Sequence, residues 1–369
     1  MMATSNEYEA GYRALALCVA ARVPVILWGP PGQGKTSVVQ AIADQQGRHL
    51  EVLLASIREP QDFAGLPSIH EGRARLVPPD WALRLADDGN GILFTDEVNT
   101  APPSVQAALL RVSLDKVAGD VFLGAATSVI AAANPPEQAA DGWDLAPPLA
   151  NRFCHLPWEL PADIVRDGFA GRWHHYDIPA VDEPKVLEAI TRERVVVAGF
   201  LTARPDLVTA LPKTSAEQGR AFPTPRSWEM ASTLAAWASI TDQGEGVQRV
   251  LVRGCVGAGA SAEYLTYREA LDLPDPERVI SKPDEFVIPA RADQIYVIGA
   301  GVLAVMRNDL TPDRWNAVGV VLERIASAGH PDIAVSFARD WMRDRPGNQM
   351  PDDGVLKALV PLLKEARLI

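Results

Sequence analysis

Eight consecutive residues, Gly29-Pro30-Pro31-Gly32-Gln33-Gly34-Lys35-Thr36, fit the spacing G-x-x-x-x-G-K-[ST]. Glycines let the backbone curl so that successive N–H groups point inward, where they suit phosphate oxygens. A helix opening at Lys35, Thr36 and Ser37 would add its N-terminal partial positive charge. Lys35 can set a cation on the β and γ phosphates, and the Thr36 hydroxyl can ligate Mg²⁺. Downstream, Ile92-Leu93-Phe94-Thr95-Asp96-Glu97 is an apolar run ending in two acids. A carboxylate at a strand end, Asp96, suits a divalent cation held directly or through water. Glu97, one residue on, suits polarising a water for attack. A third run, Ser128 to Ala133, ends in Asn134. If its strand lies between the other two, Asn134 can reach the γ-phosphate or the water. An Asn opening a turn before Pro135-Pro136 fits the same spacing equally well. Together these residues point to binding and hydrolysis of a nucleoside triphosphate.

Such groups need rigid elements to hold them. Val23 to Trp28 is a short apolar run of the kind found in a strand buried on both faces of a parallel sheet. Leu50 to Ala55, Ile92 to Thr95 and Ser128 to Ala133 are further strand candidates. Helical stretches are expected at Glu7 to Arg22, Thr36 to Gln46 and Ser104 to Leu114. Strands alternating with helices argue for a parallel α/β sheet with right-handed crossovers. After Pro157 helical runs dominate, including Trp228 to Ile240 and Val247 to Leu265. Pro274, Pro276, Pro283 and Pro289 then suggest a linker. In the tail Ile295, Ile298, Val302 and Val305 fall on one helix face, as do Trp315, Val318, Leu322 and Ile325.

Composition sets the limits. The chain has 369 residues, 35 basic against 47 acidic, for a net charge of −12. That length suits two or three domains. The charge argues against bulk binding to nucleic acid or acidic membrane, which needs a clustered basic surface. Cys18, Cys154 and Cys255, far apart in sequence and odd in number, form no disulfide framework and read as small core residues in a reducing compartment. The longest uncharged run, Val121 to Pro136, falls short of the roughly 20 residues that span a bilayer. Glu7 and Glu9 stand where a signal peptide wants Lys or Arg. The expected location is the cytoplasm, with no membrane span. His49, His70, His155, His174, His175 and His330 lack H-E-x-x-H spacing, so a metal role is not expected of them. Trp28 and Trp81 read as packing. Arg152, in Asn151-Arg152-Phe153, and Arg226, in Pro223-Thr224-Pro225-Arg226, read from composition alone as solvated charges.

The set as a whole resembles the AAA+ ATPases, and within them the MoxR-like, dynein-related group. GPPGQGKT, ILFTDEVNTAPPSVQAALL, AAANP, LAPPLANRF and PTPRS occur in that family's order at about its spacing, over residues 10 to 240. The resemblance implies an α/β fold. It would be a P-loop NTPase AAA+ core with a parallel sheet flanked by helices (1–157), an all-helical lid (158–275) and a helical C-terminal extension (276–369). It implies ATP and Mg²⁺ as ligands, Asn134 as sensor 1, Arg152 as an arginine finger entering a neighbouring subunit's site, and Arg226 as the sensor-2 arginine, in cis or in trans. It implies a homo-oligomer, a hexameric ring. It also implies chaperone-like action on a protein client, often with a partner bearing a von Willebrand factor A domain. Pro60 to Arg75 resembles the helix-2 insertion of this group. Thr100 departs from the family, which often has Arg there, and the tail beyond about residue 275 exceeds a minimal module. A DNA-directed motor, with Arg73 and Arg75 as its contacts, and a nucleotide-gated scaffold with little turnover are the competing expectations.

Overall fold

The computed structural model describes residues 4–135, 143–173, 175–177, 181–271 and 273–365. The chain divides into two units, Met1–Val181 with Leu207–Ala262, and Asp182–Asp206 with Glu263–Ile369. The boundaries expected at 157 and 275 fall inside these units rather than between them.

The first unit opens with α1 (Ser5–Ala20), started by a capping box in which the Thr4 hydroxyl accepts from the Glu7 N–H. Then follow β1 (Val25–Trp28), α2 (Lys35–Gln46), β2 (Leu50–Leu54), α3 (Gln61–Ala64), β3 (Leu66–His70), β4 (Arg73–Val77) and α4 (Asp80–Asp88). Next come β5 (Ile92–Asp96), α5 (Pro103–Asp115), β6 (Val117–Ala118), β7 (Val121–Phe122), β8 (Ser128–Ala133), α6 (Pro147–Ala150), β9 (Cys154–Pro157) and α7 (Ala162–Phe169). Five strands form one sheet in the order β2-β5-β8-β1-β9, all parallel. β1 and β8 are buried at every residue, whereas β2, at the edge, alternates. That contrast is what central and edge positions dictate for apolar patterning. Phe63, Trp81, Leu85, Leu93, Val105 and Leu109 belong to one apolar core with β1 and β8. Trp81 is thus a packing residue.

The expected strands and helices appear with boundaries shifted by a few residues, but β9 was not foreseen. Its four residues, Cys-His-Leu-Pro, carry no strand signature of their own and are set by pairing in register with β1. The segment Pro60 to Arg75 holds α3 and most of an antiparallel hairpin, β3 with β4.

Residues 207–262 of the same unit add α9 (Ser215–Gln218), α10 (Pro225–Ile240) and α11 (Gly244–Val256). The single run expected over Val247 to Leu265 is broken in two. Gly257, at φ +81°, ends α11 and α12 (Ala258–Glu269) begins. Cys18 on α1, Cys154 on β9 and Cys255 on α11 are all buried. Far apart in sequence, they converge closely enough for their thiols to affect one another's ionisation, and the Cys154 thiol donates to the Leu251 carbonyl at 3.7 Å.

The second unit holds α8 (Glu183–Ala203), α13 (Pro276–Ser281), α14 (Ala292–Asn308), α15 (Pro312–Ser327), α16 (Pro331–Arg343) and α17 (Asp353–Glu365). The proline-rich stretch read as a linker therefore contains a helix, α13. Prolines at N1, as Pro276 is, start helices rather than prevent them. The two apolar faces expected in the tail are buried on α14 and α15. Trp315 and Trp341 stack with ring centroids 4.4 Å apart, and each indole N–H donates to the other residue's carbonyl at 2.8 Å. Glu193 is buried between Tyr264, which donates to it at 2.5 Å, and Arg268 at 3.0 Å. No helix among the described residues is long and apolar enough to cross a membrane. Pro136 and His174 lie outside the described residues.

Candidate functional site

β1 delivers the chain to Gly29, whose Cα is wedged against the chain after β9. A Cβ there would lie 1.9 Å from the Trp158 carbonyl oxygen, so only glycine fits. Gly34 takes φ +67° and begins α2 without a side-chain cap, leaving the first N–H groups of that helix free for an anion. Gln33 fastens the loop from below. Its carbonyl accepts from the Trp158 indole at 3.0 Å, and its side chain accepts from the Leu160 N–H at 2.9 Å.

Lys35 is 7% exposed. Its ammonium donates to the Gly29 carbonyl at 2.6 Å, the Pro30 carbonyl at 2.9 Å and Asn134 Oδ1 at 3.0 Å. Burial lowers its pKa, and Asp96 and Glu97 act in the opposite sense. Because β8 lies between β5 and β1, the three strand ends converge, and Asn134 meets Lys35 directly. The Thr36 hydroxyl donates to Asp96 Oδ2 at 3.3 Å. Glu97 adopts φ +55°, a left-handed backbone that non-glycine residues seldom take. Its carboxylate accepts from the Ser56 hydroxyl at 2.8 Å.

The donor set suits Mg²⁺. A hydroxyl and a carboxylate already within hydrogen-bond reach are hard oxygen ligands beside a loop shaped for phosphate. Beside Gly34 and the first turn of α2 is a cavity of about 240 Å³ whose walls include Tyr8, Tyr12, Ser37, Val38, Trp158 and Leu160. The Tyr12 hydroxyl there is buried without a hydrogen-bond partner.

Arg152 and Arg226 are near enough to each other for their charges to interact. Burial and the charge of Arg226 both lower the Arg152 pKa, with Asp115 opposing. Arg152 donates to the Pro148 carbonyl, and its Nε is buried without a partner. Among the described residues, neither arginine hydrogen-bonds the P-loop of its own chain.

Residues 24–153 match the AAA domain family, dynein-related subfamily. That stretch forms a dynein-related AAA domain and is similar to the MoxR-like members of that family. Protein MoxR of Methylorubrum extorquens is 32% identical over 105 residues, 28% of this chain and 30% of that protein. Replication-associated recombination protein A of Coxiella burnetii is 34% identical over 89 residues, 23% of this chain and 17% of that protein. The chain thus spans less than a third of either relative. Among solved structures, a full-length MCM homolog from Methanopyrus kandleri aligns with a TM-score of 0.39 and 19% identity. The alignment covers 69% of this chain and 55% of that one, and a likeness so distant carries no functional reading.

The AAA+ domain also contains residues to which the sequence assigned no task at the site. Asn99 is 2% exposed and clasps Asn134, donating to its carbonyl at 2.8 Å and accepting from its N–H at 3.1 Å. Thr100, standing where the family often has Arg, donates to the Glu97 carbonyl at 2.9 Å and so stays local. Trp28 donates to His155 Nδ1 at 2.9 Å, and the Arg220 guanidinium lies 3.4 Å above the Trp28 ring. Ser56 had no sequence signal. It lies in a short turn after β2, about forty positions from Glu97 in sequence.

Proposed function

We propose that the chain is a Mg²⁺-dependent ATPase that works as a ring-shaped homo-oligomer, a hexamer, and couples ATP hydrolysis to remodelling a protein client. The observation that carries the reading is the convergence of Lys35, Asn134, Thr36 and Asp96 at neighbouring strand ends around a loop shaped for phosphate. The phosphates would take the P-loop N–H groups of residues Gly29 to Thr36, and Lys35 would exchange its carbonyl partners for phosphate oxygens. The base would enter the cavity beside Tyr8 and Trp158. Thr36 and Asp96 would hold Mg²⁺, which when bound offsets phosphate charge. Glu97 polarises the attacking water and Asn134 orients it. Arg152 of a neighbouring subunit stabilises charge on the departing phosphoryl group, a contribution of about 10³–10⁵ in rate for arginine fingers. Residues 158–275 would act as the lid, and 276–369 as an extension. A client, or a partner with a von Willebrand factor A domain, fits the acidic balance better than a nucleic acid.

The test is Glu97→Gln. Nucleotide binding should persist while phosphate release stops, and turnover at the wild-type rate would remove Glu97 from the mechanism. A pull-down with this variant in ATP then identifies the client.

A second reading, a DNA-directed motor, has one observation in its favour. Arg73 and Arg75 are exposed and two residues apart on β4, hence on one face of the hairpin. The named functions of two relatives, the recombination protein and the Holliday junction branch migration subunit RuvB of Mycoplasma pneumoniae, are compatible with it. DNA affinity falling steeply with salt, and weakened in the double variant Arg73→Ala, Arg75→Ala, would select this reading. A nucleotide-gated scaffold is disfavoured by the presence of Glu97.

A further inference from the structure

Two guanidinium groups do not become neighbours without a restraint, because like charges repel. The segments that carry Arg152 and Arg226 are nevertheless joined side by side, although the two arginines are 74 residues apart in sequence. The restraint is visible between them. Asn151, immediately before Arg152, is 8% exposed. Its Oδ1 accepts from the Thr224 hydroxyl at 2.8 Å, and its Nδ2 donates to the Phe222 carbonyl at 3.3 Å. Thr224 is the N-cap of α10, and Arg226 is the second residue of that helix. The same Thr224 oxygen accepts from the Ser227 N–H at 3.1 Å, and Ser227 Oγ in turn accepts from the Thr224 N–H at 2.8 Å. One amide therefore bolts the end of α6 to a fully formed capping box. The backbone segments that carry the two arginines are thereby held to one another. Arg152 Nε, buried without a partner, is an unmet donor at the junction. A buried unsatisfied guanidinium donor is costly unless a ligand supplies the acceptor at the working moment.

We propose that Asn151 is a positioning residue that locks Arg152 and Arg226 into one two-guanidinium unit, and that this unit is presented as a whole to the phosphates held by a neighbouring subunit. The inference rests on the ring ATPase reading and deepens it. It gives Asn151 a task in the rate rather than in binding. Asn151 touches no phosphate itself.

The distinguishing experiment is complementation in mixed rings, with phosphate release as the readout. Asn151→Ala should lower kcat by roughly 10- to 100-fold, the scale of misplacing a charge-stabilising group by about 1 Å, with KM for ATP little changed. Its own P-loop remains intact, so mixing it with Lys35→Ala should restore turnover, since Lys35→Ala subunits still lend normal arginines. A merely structural defect would not be repaired by a neighbour. Thr224→Val removes the other end of the bolt and should reproduce the defect, whereas Thr224→Ser should behave as wild type. The double variant Asn151→Ala, Thr224→Val should be no worse than either alone. Additive losses, an unchanged kcat, or absence of rescue where Arg152→Ala is rescued by Lys35→Ala would each overturn the inference. Failure of the underlying reading looks different: the wild-type protein would show no turnover, or Arg152→Ala itself would not be rescued.

Discussion

Removing the Ser56 hydroxyl should speed the protein up. Ser56 holds Glu97 Oε2 at 2.8 Å from a turn that follows β2, the edge strand. The P-loop follows β1 and Asn134 follows β8, both on the opposite side of β5. The hydroxyl therefore draws the Glu97 carboxylate toward the sheet edge and away from the place where water and γ-phosphate would meet. Glu97 is partly exposed, so the bond is worth roughly 0.5–1.5 kcal/mol net. If that energy must be given up before each turnover, Ser56→Ala raises basal kcat about 2- to 10-fold. KM should not move, because neither Ser56 nor Glu97 bonds a P-loop group. Phosphate release measured against ATP concentration, with Ser56→Thr as the variant that keeps the hydroxyl, reads this directly. A fall in kcat for Ser56→Ala would refute the reasoning, since it would mean that the bond orients the carboxylate for attack.

Three further outcomes are expected. Asn99→Ala strips two buried backbone partners from Asn134 and should cost about 2–4 kcal/mol in denaturant unfolding, with a matching loss of turnover; a full-rate, full-stability variant would contradict the clasp. His155 is buried, with its pKa lowered to about 4, chiefly by burial. In the folded state it binds fewer protons than in the unfolded state between about pH 4 and pH 6.5, so its contribution is present above pH 6.5 and is lost as pH falls toward 4, by roughly 3 kcal/mol at most. His155→Gln should flatten that part of the acid limb of a stability–pH curve, and an unaltered slope would show that other groups carry it. Trp315→Ala should destabilise the second unit by about 3–5 kcal/mol while binding of a fluorescent ATP analogue persists; loss of binding in a folded variant would count against treating the units separately.

The sheet and its P-loop were legible because their chemistry is local. Glycines, Lys35 and Thr36 sit within eight residues, and strands buried on both faces announce themselves as unbroken apolar runs. β9 was not legible, because its identity as a strand comes from pairing with β1 rather than from its own residues. The same holds for Ser56, which acts through space on a residue it cannot be aligned with. The break at Gly257 was hidden because the apolar pattern continues across it on both sides. The three cysteines show the limit most plainly. Sequence separation suggested independence, but a sheet strand and two helices bring all three sulfurs to one spot.

The stacked indoles of Trp315 and Trp341 give the second unit an optical signature of its own. They are the only tryptophans in that unit, and they lie close enough for their electronic transitions to mix. Circular dichroism from such a pair depends on the mutual angle of the rings and vanishes when they part. Unfolding of residues 182–206 and 263–369 can therefore be watched without a label. In the first unit Trp28 lies under a guanidinium one residue before the P-loop, where its emission would answer to events at the phosphate site. The first unit holds seven of the nine tryptophans, Trp28 among them, so the coupled pair is the signal that belongs to the second unit alone.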